Sequence, residues 1–597
     1  MTKVHVQQGA SRPPSSAPPR VVFNKLSVAY TTIFVLNLAL TPLKAYIGEV
    51  LPWNVPWLPP PTGLDPFSTY NANMTALLQR VYNNTTFPFS PTDTLSNDIF
   101  LKHIPTATYA IRYPLALPAN LSDDHCLTTL IRFPGEIYYG RGVRQYICAF
   151  LAAANQTAFI EANASICQHE MILGAPLADG CLWLTPSSSL PPSGDANNPT
   201  TDHHSFVVYF ARQSTESPVF AWFKFTFRTL LTLYILHLVW SLYFCHYIVL
   251  MDNLRHSAAG NPLLVHDGPP ITSFVVVVGD PTYFILSHPT VSFILVLDVW
   301  LSAVYFGLAT IHVSQMQEMG HYVLGCFYGS RTVWFAYFTM RVVAVLVKQL
   351  HLEHRFASVD PGILAVAVVV YAGPLMWFIS NSVFAAFFHF LWSLVVAPAQ
   401  QFTTIETCPG VMAAVFLIGS LPIAFSFTLA RMTNRPSMQN RASLNPTQFA
   451  SPTYNDIKQK VLWLWLLRSF VGTNKAEDKT LSVGGTLHRL FRQHAGYRKL
   501  PLFSLRASDC FVECRDANKI IVKKLRLSLL AGLDRQEDQG SDTAIRLCPI
   551  DHLQSFCTIN MDSCLVVAQT TSMQGPTKSL PTSKWLHVGA SQCQWIL

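Results

Sequence analysis

The sequence is poor in charge. Only 12% of its 597 residues are Asp, Glu, Lys or Arg, while half are hydrophobic and the mean hydropathy is +0.28. Soluble domains carry roughly 25% charged residues, so an ordinary soluble protein is excluded. No Gly-x-Gly-x-x-Gly or Walker pattern is present and no Cys-x-x-Cys pair occurs. These absences remove the usual nucleotide, dinucleotide and zinc-ribbon readings. No cofactor, no catalytic set and no nucleic-acid partner is therefore expected. Arg does not recur at every third position, and no two halves resemble one another, so neither a voltage sensor nor a repeat transporter is marked.

The apolar residues are gathered into blocks long enough to cross a bilayer, which takes about 20 residues per helix. The blocks cover residues 26–46, 220–251, 291–311, 332–347, 362–380 and 411–430. The expected fold is a multi-pass α-helical membrane protein of about six transmembrane helices. It carries an α+β extracellular or luminal domain and a small β-rich cytoplasmic tail domain. Residues 1–25 read as a disordered leader with Lys3, Arg12, Arg20 and Lys25 and no acid. The block 26–46 reads as a signal anchor, with a cleaved signal peptide as the alternative. Asp360-Pro361 opens the fifth block with an N-cap and a proline in the first turn. The apolar stretch 382–396 extends that helix, lies in the interface or forms a seventh span.

Basic residues retained on the cytosolic side set orientation. The leader, Lys348 and Arg355 after the fourth block, and Arg431, Arg435 and Arg441 after the sixth share one side only if the span count is six. Both termini are then cytoplasmic. Residues 47–219 form an ectodomain, 252–290 a cytoplasmic loop, 431–453 a linker and 471–597 the tail domain.

Asn-x-Ser/Thr triplets stand at Asn73, Asn83, Asn84, Asn120, Asn155 and Asn163, all six within 47–219. The tail asparagines at 434, 440, 445, 455, 474, 518 and 560 all miss the pattern, the third because Pro446 follows it. Six triplets confined to one loop imply N-glycosylation outside the cytosol. Cys126, Cys148, Cys167 and Cys181 occupy the same loop. An even number of cysteines in an oxidising compartment implies two disulfides, with the pairing open. Stretches 127–133, 136–139 and 145–150 read as short strands, and 151–162 as a helix.

In the tail, 454–470 reads as a helix with an apolar Trp-bearing centre flanked by Lys458, Lys460 and Arg468, suited to the inner-leaflet interface. Two hairpins follow, 511–514 with 519–522 and 556–559 with 565–568. The tail cysteines, with His494, His552 and His587 nearby, lack zinc-site spacing and read as buried thiols. Val275–Val278 before Gly279-Asp280 reads as an ordinary strand or interfacial segment.

Asp298 and Arg341 fall inside the third and fourth blocks. If both helices are straight, each residue lies about 12 Å from the cytosolic face. An intramembrane ion pair between them is expected, since unpaired charge at that depth costs at least about 2.5–3.5 kcal/mol. The expected function is that of a receptor-like or interaction glycoprotein at the cell surface or an endomembrane. The bilayer, an unidentified outside ligand and a cytosolic protein bound by the tail would be its partners. A transporter or channel is the alternative, and a membrane-embedded enzyme the third reading.

Overall fold

The computed structural model describes residues 20–55, most of 99–186, 203–257, 271–314, 319–433, most of 481–534 and short strands between 544 and 596. In chain order the strands are β1 (Arg20–Phe23), β2 (Ile99–His103), β3 (Thr108–Pro118), β4 (Ser165–Ile172), β5 (Ala175–Pro186), β6 (His203–Ser214), β7 (Ser273–Val277), β8 (Thr404–Glu406), β9 (Leu481–Gly484), β10 (Cys510–Arg515), β11 (Ile521–Leu529), β12 (Ala544–Arg546), β13 (Ser555–Asn560), β14 (Val567–Ser572), β15 (Trp585–His587) and β16 (Trp595–Ile596). The main helices are α1 (Lys25–Ala39), α2 (Arg141–Ala152), α3 (Gln156–Ala162), α4 (Pro218–Val239), α5 (Cys245–Ser257), α6 (Pro289–Leu301), α7 (Ala303–Ser314), α8 (Met319–Gly329), α9 (Val333–Gln349), α10 (Pro361–Ser380), α11 (Phe384–Ser393) and α12 (Cys408–Thr433).

Four helical stretches are long and apolar enough to cross a membrane, and six if each of two bent pairs is one span. The bends measure 74° between α1 and the segment Leu43–Asn54, and 71° between α6 and α7. Ile33, Leu233, Val366, Val370 and Phe416 project from these helices with 57–70% of their surface exposed. Apolar side chains left open on so many helices match a lipid-facing band rather than a wetted surface. Asp360 caps α10 as its sequence implies, its Oδ1 accepting from the Ile363 N–H at 3.0 Å.

Two six-stranded sheets stand at opposite ends of the bundle. The first runs β2-β3-β6-β5-β4-β8. Its edge strand β8 comes from the far end of the chain and pairs in parallel with β4. The second runs β1-β7-β10-β11-β16, with β9 also on β11. The helical stretch Pro218–Asp252 leaves β6 and runs 35 residues, about 50 Å, to the second sheet. There the Tyr243 hydroxyl donates to the Ser508 carbonyl at 3.1 Å and the Trp595 indole donates to the His246 carbonyl at 3.1 Å.

The tail is thus not a separate domain. Its hairpin β10–β11 forms as expected, but β10 also pairs with β7 from the loop 252–290, and β7 pairs with β1. Residues 20–23, read from sequence as part of a disordered leader, are a strand. Their alternation is weak, and a partner more than 250 residues away supplies the pairing. Strand β7 reads as a continuous apolar run because Phe274, Val275, Val276 and Val277 are all buried. Gly279 follows it for a steric reason: a Cβ there would meet the Asp509 carbonyl oxygen at 2.4 Å. A second hairpin, β13–β14, forms with a shifted register: Asn560, expected in the turn, pairs with Val567, and the second strand is Val567–Ser572 rather than 565–568.

Of the stretches expected as strands, 127–130 and 145–150 are helical. Cys126–Leu130 is one helix and α2 covers the other. Val143, Ile147, Phe150 and Leu151 are buried at the helical spacing, pressed on Leu182, Phe206 and Val208 of the sheet. The stretch 151–162 is two helices, restarted where Asn155 caps α3 by accepting from Ala158 N–H at 3.0 Å. Two disulfides are present, Cys126–Cys148 and Cys167–Cys181. The first ties the short helix to α2. The second joins directly opposed residues of β4 and β5.

The segment 382–396 does not cross the bundle. Helix α11 has ten residues, about 15 Å. Helix α10 starts beside the second sheet, where Val359 bridges Phe503, and β8 lies in the first sheet. One crossing therefore covers α10 and α11 together. The helix 454–470 and Cys548, Cys564 and Cys593 lie outside the described residues.

Buried polar groups hold the second sheet together. Asp509 Oδ2 takes the Arg526 Nε–H at 2.6 Å and contacts His488 Nε2 at 2.7 Å. Burial by itself raises the Asp509 carboxyl, but His488 and Arg526 hold it at about 2. Burial pulls the His488 imidazole below its ordinary value despite Asp509. The unfolded chain therefore takes up a proton near pH 6.5 before the folded one does. Stability of this sheet should fall as pH drops below about 6.5, and fall again below about 4 as the unfolded Asp509 protonates. Melting of the detergent-solubilised chain at pH 7.5 and 5.5 checks the first loss. His488→Gln should remove most of the difference between those two values.

Candidate functional site

The densest polar cluster lies inside the helical bundle. It begins with Lys224 and Arg228 on α4, four residues apart and so on one helix face. Both are buried, Arg228 completely. The Arg228 guanidinium clasps the Glu49 carboxylate through Nη1 at 2.7 Å and Nη2 at 2.9 Å. Its Nε–H donates to Asp298 Oδ1 at 2.7 Å, and Nη2 also donates to Ser302 Oγ at 2.8 Å. From the 3-10 turn Ser330–Thr332 that joins α8 to α9, Arg331 donates to Glu49 Oε1 at 3.0 Å and to Asp298 Oδ2. The Tyr328 hydroxyl donates to Glu49 Oε1 at 2.7 Å. Lys224 pairs with Glu216 at 2.9 Å and stands 3.4 Å from Glu49.

The backbone explains how charges so far apart in sequence meet. Glu49 sits beyond the 74° bend in the first span. Gly48 lets that bend close on Tyr328, whose ring carbon would be 2.7 Å from any Cβ at this position. Asp298 is in the last turn of α6, and Ser302 is the residue at the 71° break. Four spans are thus clamped at one level. Three carboxylates face three cations, so the cluster is neutral. The cationic side chains also lie over aromatic rings, Arg228 at 4.8 Å from Tyr46 and Lys224 at 5.0 Å from Tyr305. Every carboxylate oxygen of Glu49 and Asp298 has a charged partner. A buried carboxylate is tolerated only when paired this fully.

The expected Asp298–Arg341 pair is not the one formed. Asp298 takes Arg228 and Arg331 instead. The expectation put Thr290 and Gln349 at one level, whereas Arg341 stands beside His288, just before α6, so that Asp298, ten residues on, meets Arg331, ten residues before Arg341. Arg341 is ten positions further along, about 15 Å, at the level of Tyr283 and His288.

Above the cluster, the first sheet is fixed to the broken span. Arg212 of β6 donates to the Val304 carbonyl at 2.6 Å and pairs with Glu170 of β4, both side chains being 1% exposed. Below, His488, Asp509 and Ser528 resemble a nucleophile triad in composition. Both Asp509 and Ser528 contact the same ring nitrogen of His488, at 2.7 and 3.2 Å, and all three are buried. A relay needs one partner on each nitrogen, so this trio is a lock within the sheet.

Asn155 and Asn163 are exposed, as glycan acceptors must be. Asn73, Asn83, Asn84 and Asn120 lie outside the described residues. Among the described residues no His, Cys, Asp and Glu group has metal-site geometry. The chain matches no known family, no curated protein and no solved structure.

Proposed function

We propose that the chain is a multi-pass membrane glycoprotein of the receptor or interaction type, at the cell surface or an endomembrane. On this reading the first sheet is the glycosylated outer domain, anchored by the first span. The second sheet, with both termini, faces the cytosol. The basic leader and the arginines after the last span support that orientation. The observation that carries the class is the composite build of both sheets. Each recruits a strand from a loop between spans, and each is tied into the bundle by buried polar contacts. Engagement of the outer sheet is then mechanically linked to the inner one. A ligand outside and a protein partner inside are the occupants this arrangement suits.

A transporter or channel is the second reading, favoured by two broken helices meeting at a charge cluster. The mutual saturation of Glu49, Arg228, Asp298 and Arg331 argues for a latch over a path. Ion and solute flux into liposomes holding the full chain separates the two. Flux at the level of protein-free liposomes supports the receptor reading, and saturable flux that falls with Arg331→Gln would replace it with the transporter reading.

Glycosylation gives a separate expected result. Digestion with a glycosidase should shrink the protein, and replacing Asn73, Asn83, Asn84, Asn120, Asn155 and Asn163 by Gln should abolish the shift. An unchanged mobility of the parent chain would place residues 47–219 on the cytosolic side.

A further inference from the structure

A cavity of about 350 Å³ lies where the first sheet's domain meets the bundle. Its walls include Arg141, Arg144, His389, Phe390 and Gln401. Arg141 and Arg144 are in the first turn of α2, a twelve-residue helix whose N-cap is Gly140 and whose first N–H groups receive no side-chain cap. The Arg141 N–H is taken by the Gln401 carbonyl at 3.1 Å, so what favours an anion here is the two guanidinium groups. Arg141 is exposed; it stacks 5.3 Å from the Phe402 ring and reaches Gln401 Oε1 only at 3.5 Å. Arg144 is half-buried, with Glu136 as its nearby carboxylate.

The independent sign of a ligand is His389. Its side chain is 4% exposed, and Nε2 contacts Glu136 Oε1 at 3.2 Å. Nδ1 is buried with no hydrogen-bond partner, in a residue that lines the cavity. With Nε2 facing Glu136, Nδ1 is the ring nitrogen left to meet an occupant of the cavity. Buried polar atoms are rarely left unpaired, and each such case calls for an occupant.

The cavity does not end in water. Phe390, 56% exposed, lines it and belongs to the open face of α11 with Phe384, Phe387 and Leu394, each 51–66% exposed. The opposite face, Ala385, Phe388, His389 and Trp392, is buried. A short amphipathic helix with one open phenylalanine face suits the headgroup region of a bilayer.

We propose that this cavity binds the anionic headgroup of a membrane phospholipid, with its acyl chains laid along the phenylalanine face of α11. Arg141 and Arg144 hold the phosphate, assisted by His389. This rests on the membrane-spanning reading and not on the receptor class, so saturable flux, which would replace the receptor reading, leaves it standing.

The test is native mass spectrometry of the full chain released from detergent with phosphatidic acid, phosphatidylcholine or inorganic phosphate added. The parent chain should retain one phosphatidic acid, with retention falling at least about tenfold in Arg141→Gln/Arg144→Gln. Should that variant elute as aggregate, Arg141→Gln alone, at an exposed position, should still weaken retention severalfold. Equal retention by parent and variant, or of phosphatidylcholine as well as phosphatidic acid, would reduce the lipid to a nonspecific annulus and overturn the proposal. Inorganic phosphate binding as tightly as the lipid would make the site one for a free anion, which also overturns it.

Discussion

Replacing Arg228 by Gln should lower the yield of folded, detergent-stable protein more than any other single substitution in the bundle. Arg228 is fully buried, and it gives four hydrogen bonds to three partners, Glu49, Asp298 and Ser302. Its loss leaves two carboxylates in low dielectric with Arg331 and Lys224 to share. Removing one member of a buried ion pair costs about 3–5 kcal/mol, which is a large part of the stability of most domains. Glu49→Gln alone should be nearly as harmful, because Arg228 then loses its bidentate acceptor. The double variant should recover part of the loss, since the uncompensated charge is gone. Thermal melting of the purified chain across this cycle is the check. Strictly additive losses would mean that Glu49 and Arg228 are not coupled.

The second large effect concerns the disulfides. Cys126–Cys148 closes 22 residues and Cys167–Cys181 closes 14. Chain entropy assigns roughly 3 kcal/mol to each loop of this size. Alanine at either pair should make the ectodomain markedly more sensitive to protease at 37 °C, and loss of both should abolish its resistance. Cys245→Ala is the control, being a free cysteine on α5 away from this domain. Its resistance should match the parent. Protease resistance that survives loss of both bridges would show that the core of Phe133, Ile147, Phe150, Leu184 and Phe206 suffices by itself.

Several features were legible because they rest on local pattern. The apolar blocks, the Asp360 cap, the even cysteine count and the hairpin around residues 515–518 all follow from short windows of sequence. The charge cluster was legible only in part. Asp298 stands out in an apolar block, but Lys224 and Arg228 lie near the start of theirs, where long cations ordinarily snorkel to the interface. Their four-residue spacing was the available signal, since it puts both on one face. Glu49 looked like a residue just outside the first span. Nothing local marks Ser302 as a break, for neither Pro nor Gly is there. With the third span entering level with Gln349, Arg341 is the natural partner; with α6 beginning level with Arg341, Arg228 and Arg331 are. The composite sheets were illegible for a related reason. Strands β1 and β8 have four and three residues, and their pairing depends on where the helices deliver them.

Sidedness of the two sheets is the central claim, and impermeant thiol labelling of intact cells tests it directly. Leu173 in the β4–β5 turn is 74% exposed and Ile520 before β11 is 61% exposed. Leu173→Cys should be labelled from outside above the parent background. Ile520→Cys should be labelled only after the membrane is permeabilised. Labelling of both from outside, or of Ile520→Cys alone, would contradict a bundle with the glycosylated sheet at its outer end and the shared sheet of N-terminus, loop and tail at its inner end.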